Sequence, residues 1–504
     1  MKKAAIMLMF ITIISKIFGF TRDLVLSYSY GASGTSDVYI IASSISTVIF
    51  GMIGVSLASA YIPILLEIDN KGEGKKQNIF TSNVMNIVIF ICLGIVSIVY
   101  IYTKEVVLLF AFGFSSEQIE LAISFTRISI ISIFFIGIIY IFQSYLQAKG
   151  KYNTSALSTI PLNAILILSI ILSTKYGLIL LPIGMVLGPI LQFLILLISS
   201  YKVGFRYKFS SILNDKYIKK IIIFSLPMLI GSSLNQINTI IDRTLASQIS
   251  IGGISALNYA NRLNGFVQGI LVLSITSVFY PTISRLIESK KPFKDTIAET
   301  IIFVLLLVTP ITVGTLLFSE QIIEILFKRG EFDSLAVTMT EQALFYYCIG
   351  MVAYGLRSII TKVFYAMKET TIPVKNGALG IVINIILNFT LSKYMGINGL
   401  ALATSISAIA TIILLSISLR RKIGQFGIKE IIFNFIKILG SSIIIGIVAK
   451  MLFLQLQSIL YETISLAISV SIAAILYFII IYFMKIGNVN SMFNHTIYKL
   501  RKRE

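Results

Sequence analysis

Apolar runs of about 20 residues recur from one end of this chain to the other, separated by short polar stretches rich in Lys and Arg. They lack the apolar/polar alternation of barrel strands. Backbone groups in hydrocarbon must be satisfied internally, so helices are the spanning element. The pattern predicts about fourteen spans, at roughly 4–28, 34–66, 78–103, 118–148, 152–174, 177–202, 218–248, 253–286, 296–319, 335–366, 371–393, 397–420, 430–454 and 461–486. Several exceed the ~20 residues a crossing takes and are expected to tilt or protrude. The fold class is an all-α polytopic membrane protein.

Composition agrees: 504 residues, 56% hydrophobic and 13% charged, with mean hydropathy +0.91. The net charge of +20 would suggest nucleic acid in a soluble protein. Here the basic residues fall between apolar runs, where they set topology, and no nucleic-acid partner is expected. With the N-terminus inside, the inner segments hold Lys2 and Lys3, Lys71 to Lys76, Lys149 and Lys151, Lys202 to Lys216, Lys290 to Lys294, Lys368, Arg421 to Lys429, and Lys499 to Arg503. The outer segments hold little beyond Lys104, Lys175, Lys328, Arg329 and Lys393. This asymmetry, with an even number of spans, predicts both termini in the cytoplasm. No small-residue cleavage site follows Lys2 and Lys3, so the first apolar run reads as a permanent helix. Cys92 and Cys348 lie in apolar runs without ligand spacing, and His495 stands alone in the tail. No cofactor and no enzymatic site are expected.

The chain resembles itself at an offset of about 218 residues. DLVLSYSYGASG from Asp23, ending at Pro63, matches DRTLASQISIGG from Asp242, ending at Pro281. The amphipathic stretch after Val106 matches that after Ile322, and YLQAKGKYNT matches FYAMKETT. The expected architecture is therefore two pseudo-symmetric six-helix bundles, 1–216 and 217–425, related by an axis along the membrane normal. Two C-terminal helices and a basic tail follow at 426–504. Bundles so related typically bind cargo near the midplane and alternate access by rocking.

Charges inside the spans carry the chemistry. Lys16, Arg22 and Asp23 lie in the first span, and Asp242, Arg243 and Arg262 in matching stretches of the second half. A charge at the bilayer centre costs about 2.5–3.5 kcal/mol on insertion scales, so such residues usually face a watery cavity. Thr12, Ser15, Lys16, Gly19, Arg22 and Asp23 fall within about 120° of one face of the first helix. The eighth span has a similar face with Asn258, Asn261, Arg262, Gly265 and Gln268. The plainer alternatives are helix packing and a local Arg22–Asp23 ion pair. Asp37 opens the second span, either as a cap or as a cavity residue. Arginine suits phosphate because its planar fork offers two parallel hydrogen bonds. Arg22 and Arg262, with Lys16 as a third charge, are expected to clamp a diphosphate. Asn384 and Asn388, Thr404 and Asp242 offer hard oxygen ligands for a small cation, or interhelical hydrogen bonds.

SKIFGFTRD (Ser15 to Asp23), Gly31, Asp37 and SLASAYIPILLE ending at Glu67 resemble the opening of the MurJ/MviN lipid II flippases. So do DRTLAS from Asp242, LNYANRLNGF around Arg262 and VFYPTISR ending at Arg285. The resemblance covers most of the chain and places it in the multidrug/oligosaccharidyl-lipid/polysaccharide exporter superfamily. It implies export of the undecaprenyl-diphosphate-linked peptidoglycan precursor across the bacterial plasma membrane, with cell-wall synthesis machinery as candidate partner. Family cavity cations map onto Lys16 (an arginine in the family), Arg22 and Arg262, and a family acid maps onto Asp37. A further family arginine has no match near Thr47 and Val48, and the usual Ala-Glu-Gly-Ala run is replaced around Gly51 to Val55. Some members bind sodium at a site matching Asp242, Asn384, Asn388 and Thr404, where Asn388 replaces an acid. The last two helices of the family line a groove for the lipid tail. Competing readings are a flippase for O-antigen, teichoic-acid or capsule lipids, an ion-coupled drug extruder, and a non-transporting membrane scaffold.

Overall fold

The computed structural model describes residues 2–209, 216–287 and 290–484. The basic tail around Lys499 to Arg503, with His495, lies outside them. Nineteen α-helices hold most of the described residues, and there is no strand among them. In the first half they are α1 (Lys2–Tyr30), α2 (Gly34–Asn70), α3 (Gly74–Ile101), α4 (Thr103–Phe110), α5 (Ser116–Ser129), α6 (Ser132–Ala148), α7 (Tyr152–Leu157), α8 (Thr159–Tyr176) and α9 (Leu180–Lys202). Then come α10 (Lys216–Ile249), α11 (Gly253–Leu286), α12 (Lys290–Leu317), α13 (Ser319–Phe327), α14 (Ser334–Ile349), α15 (Met351–Ala366), α16 (Thr371–Met395), α17 (Ile397–Ile423), α18 (Ile428–Gln457) and α19 (Glu462–Phe483).

The all-α class holds. By length and composition nine of these helices can cross a membrane, or up to twelve if each bent pair is one span, against the fourteen expected. α1 and α11, which carry Lys16, Arg22, Asp23 and Arg262, are as long but stand outside that set. Three predicted spans are bent: α10, by 43° between Leu229 and Gly231, and two more at equivalent points of the repeat. α5 and α6 meet at 47°, and α14 and α15 at 45°. A bend frees carbonyls from the i→i−4 ladder, and at these two hydroxyls from other helices take them up. Ser46 Oγ donates to the Ser129 carbonyl (3.2 Å), and Ser405 Oγ donates to the carbonyls of Tyr346 (2.6 Å) and Tyr347 (3.1 Å). A Cβ on Gly350 would sit 2.7 Å from Ser405 Cα, so the α14–α15 bend needs glycine for the close approach. The two amphipathic stretches of the repeat become the short helices α4 and α13.

The chain divides into two compact units: Met1–Ala256 with Arg329–Ala336, and Leu257–Lys328 with Val337–Glu504. The repeat boundary near 216–217 is thus a boundary of sequence, while α10 packs along α2 in the first unit. α2 is apolar or small along most of its length and is largely buried, except on the face that carries Thr47, Val55, Ser59 and Leu66. Its far end joins a polar knot. Lys149 Nζ reaches Asp69 (3.3 Å) and Gln77 (2.8 Å), and Glu67 accepts from Lys71 (3.0 Å) and Lys220.

In the second unit α18 packs along α12, and α19 on α18. Pro310 interrupts α12 and has no N–H for the Leu306 carbonyl four residues back. The buried Tyr477 hydroxyl of α19 donates to that carbonyl at 2.8 Å. Lys450 of α18 caps the C-terminal end of α12, donating to the Leu317 carbonyl (3.1 Å) and to Gln321 (3.0 Å). The last two helices are thereby stitched to the bundle by polar bonds inside an apolar setting.

Candidate functional site

α1 presents its small polar stripe to two different surroundings. Ser15 Oγ donates to the Ala156 carbonyl (2.8 Å), and a Cβ at Gly19 would lie 4.0 Å from Asn163 Oδ1, so this part packs on α7 and α8. At the end of the helix Tyr30 and Ser173 hydroxyls are 2.6 Å apart. Lys16 is half-buried and has no hydrogen-bond or carboxylate partner among the described residues. Arg22 and Asp23 form the local ion pair: Nη2 and Nε donate to Oδ1 at 2.7 and 3.1 Å. The Asp23 side chain is 4% exposed and that of Arg22 19%, so the carboxylate draws part of the guanidinium's charge inward. Of the two stripe cations, Lys16 is the one without an acid beside it.

Asp37 is fully buried, and it caps a helix other than its own. Its Oδ2 accepts from the Gly252 N–H (2.7 Å), and its Oδ1 accepts from the Ser255 N–H (2.8 Å) and Ser255 Oγ (2.8 Å). These donors stand at the start of α11, Gly252 just before it and Ser255 in its first turn, where free N–H groups and the positive dipole end favour an anion. Ser33 caps the helix that Asp37 stands on, its Oγ accepting from the Ser36 N–H at 3.4 Å. Asp37 and Ser255 are 218 positions apart, the repeat offset, so equivalent helix starts meet here.

The surrounding chain is too close for side chains. Gly252 has φ +81°, and a Cβ there would stand 2.1 Å from the Ala32 carbonyl oxygen. Gly330, at φ +62°, would place a Cβ 2.3 Å from the Tyr28 oxygen, which accepts from the Glu331 N–H at 3.0 Å. The Gly113 N–H donates to Ser247 Oγ at 3.0 Å. All these contacts lie within the first unit, and together they close the end where α1 and α10 finish and α2 and α11 begin.

Arg262 is exposed on α11, and Asn258 is half-buried one turn before it, both in the second unit. Asp242, in the first unit, accepts from Asn238 Nδ2 at 3.2 Å. In the second unit Asn388 Nδ2 donates to Asn384 Oδ1 (3.0 Å), and Asn384 Nδ2 to Thr404 Oγ1 (3.5 Å). The Asn384–Thr404 bond ties α16 to α17, as interhelical packing does, and Asn388 Oδ1 is buried beside it. An amide stands at 388 and Asn384's oxygen already accepts, so the set offers a small cation neutral oxygens, the buried Asn388 Oδ1 among them. Two cations escaped the sequence reading. Arg357 and Lys362 are half-buried on α15, without partners among the described residues, and Arg357 Nη2 lies 3.7 Å from where a Cβ of Gly377 would be. Their signal was plain: two basic residues inside a predicted span, at 335–366.

A repeated bundle of bent helices with ionic groups in its spans is the build of a membrane transporter. Among solved structures, an inward-facing multidrug resistance MATE transporter of the MOP superfamily superposes with TM-score 0.66 at 16% identity, over 83% of this chain and 98% of that one. At that identity the likeness is one of fold. A structure of lipid II flippase MurJ in an inward closed conformation gives TM-score 0.83 at 28% identity, over 95% of this chain and 99% of that one. The family model described as lipid II flippase MurJ matches residues 26–459, and the chain belongs to that family. Probable lipid II flippases MurJ of Buchnera aphidicola (strain Bp) and Vibrio cholerae are 29% and 27% identical. The first alignment covers 81% of each chain and the second 82% of each.

Proposed function

We propose that this protein is a lipid II flippase, carrying the polyprenyl-diphosphate-linked peptidoglycan precursor from the inner to the outer leaflet of the bacterial plasma membrane by alternating access. No covalent chemistry is involved. The observation that carries the reading is Lys16, a half-buried ammonium without an acid partner on an apolar helix, in a chain whose residues 26–459 match the flippase family. The cargo's head cannot enter hydrocarbon alone, because its polar groups would lose water without replacement. Fixed cations replace that solvation. Lys16 supplies a full charge, Arg22 the outward part of a charge shared with Asp23, and Arg262 an exposed fork suited to phosphate. Asn258 lies one turn from Arg262 as a neutral donor. The prenyl tail stays in lipid.

The loop-charge asymmetry puts both termini in the cytoplasm, and hence the Asp37 closure at the outer face. Release of cargo outward then requires that closure to open. Membrane potential, at ~2.3 kcal/mol per charge per 100 mV, is sufficient to bias the return, and no step is assigned to sodium. Enzymes that polymerise the delivered precursor are the partners this role implies. A drug extruder would want an apolar pocket with acidic coupling groups, which an unpaired Lys16 does not suit. The family match weighs for lipid II over other polyprenyl-diphosphate cargoes.

The test is rescue of a bacterial strain depleted of its own lipid II flippase. The chain and its Lys16→Arg variant are expected to restore growth, and Lys16→Ala to insert in the membrane without restoring it. Inserted wild-type protein that leaves the strain unable to build wall would overturn the assignment.

A further inference from the structure

In the second unit α17 packs along α15 and α16, while α18 packs along α12 and α19. Between these consecutive helices lies a cleft of about 810 Å³, floored by α12 and α15. Its polar lining residues are Thr309, Thr312, Ser416 and Arg420, and the Thr312 hydroxyl is already bonded to the Val308 carbonyl (2.8 Å). The rest is Ile, Leu, Val, Phe and Ala. Ile413 and Ile417 on one wall and Ile432 on the other are about half exposed, so the cleft opens sideways to the surrounding lipid.

Its length and its mouth narrow the occupant. From Ile409 to Arg420 the α17 wall runs about 16 Å at a rise of 1.5 Å per residue. That is close to one leaflet, half of a hydrocarbon core about 30 Å thick. Arg420 stands at the end of this wall, exposed, with no carboxylate partner among the described residues. The neighbouring Lys422 is neutralised by Glu369, but Lys294 reaches the α17–α18 turn, its Nζ 3.4 Å from a Cβ placed on Gly424. On the loop-charge orientation this mouth is cytoplasmic. A one-leaflet apolar slot, open to lipid and ending in a guanidinium at the membrane surface, matches an amphiphile with acyl chains and an anionic head.

We propose that this cleft binds one cytoplasmic-leaflet phospholipid with an anionic head group, held by Arg420. It shares α18 with the tail groove that the family resemblance assigns to the last two helices, but α19 supplies no wall and the cleft opens on the α17 side of α18. A lipid seated here wedges between α17 and α18, so the anionic lipid content of the inner leaflet bears on how the second unit packs.

The experiment uses the purified full chain in mild detergent, with native mass spectrometry after exposure to equal amounts of phosphatidylglycerol and phosphatidylcholine. The chain is expected to retain phosphatidylglycerol about tenfold over phosphatidylcholine, the worth of a charge-assisted contact. Arg420→Gln, a change at an exposed position, should bring the two lipids to parity. Ser416→Trp, which fills the cleft, should lower retention of both, with thermal unfolding checking that the variant is folded. Equal retention by the parent, or an unchanged preference in Arg420→Gln, would overturn the proposal. So would undecaprenyl diphosphate displacing phosphatidylglycerol at equimolar amounts, since the slot would then belong to the cargo. None of these readouts depends on transport.

Discussion

Replacing Asp37 by Asn keeps the shape of the side chain and removes its charge and one acceptor. Asp37 accepts three hydrogen bonds through two oxygens, from the Gly252 N–H on one side and from Ser255 on the other. Whichever way an amide turns, its NH2 faces one of these donors. A bond to a charged group is worth about 1.5–3 kcal/mol, and a buried N–H left without an acceptor costs about 1–3 kcal/mol. The closed arrangement of these helix ends should therefore lose roughly 2–4 kcal/mol in Asp37→Asn, a change of about 30-fold or more in the ratio of closed to open. Ala256, one residue beyond Ser255, is fully buried, and Cys adds a single sulfur atom there. With Cys92 and Cys348 replaced by Ala, Ala256→Cys becomes the reporter for a membrane-impermeant thiol reagent applied to intact cells. The parent should label slowly and Asp37→Asn about 30-fold faster. Cys348, itself fully buried, retained in a companion variant, should stay unlabelled if the fold is intact. Labelling of Ala256→Cys within twofold of the parent, in folded Asp37→Asn protein, would refute the idea that this carboxylate holds the end shut.

Tyr477→Phe leaves the Leu306 carbonyl without its donor opposite Pro310. It should cost about 1–3 kcal/mol in unfolding of the detergent-solubilised chain, with Pro310→Ala, which restores an N–H, recovering much of that loss. Gly330→Ala puts a Cβ 2.3 Å from the Tyr28 oxygen at a positive φ, so it should open the outer end in the same thiol assay by an amount comparable to Asp37→Asn. Lys16→Ala should weaken retention of undecaprenyl diphosphate by the purified chain by about tenfold while Lys16→Arg keeps it, read as a binding isotherm. Arg357→Gln and Lys362→Gln, which remove the half-buried α15 cations, should each leave insertion intact and lower rescue of a flippase-depleted strain. Full rescue by the double variant would remove them from the cargo's path.

The helical class could be read from the sequence because hydrocarbon leaves a chain little choice, and apolar runs near 20 residues are their own signal. The repeat was equally plain, since Asp23 to Pro63 and Asp242 to Pro281 keep one register. The bends were not legible. Whether the chain breaks at Ser129 or at Gly350 depends on Ser46 and Ser405, which arrive from other helices to take the freed carbonyls. The partner of Arg22 was foreseeable because it is the next residue. The role of Asp37 was half legible: an acid at a helix start suggests a cap, but not that the capped helix begins 216 residues later, at Gly253. Asn384, Asn388 and Thr404 had the right atoms for an ion, and only their mutual hydrogen bonds point to packing. Arg357 and Lys362 are visible as charges in a span, but they lie outside the stretches that match between the two halves, so the repeat does not single them out.

On the proposed function, cations fixed in the spans carry a diphosphate head group across the membrane. The most direct measurement reconstitutes the purified chain in vesicles with fluorescent lipid II in one leaflet and follows its appearance in the other by a quencher that cannot cross. Transfer should rise with protein-to-lipid ratio and fall to the protein-free rate in Lys16→Ala. Transfer at the parent rate in folded Lys16→Ala combined with Arg262→Ala would contradict the account.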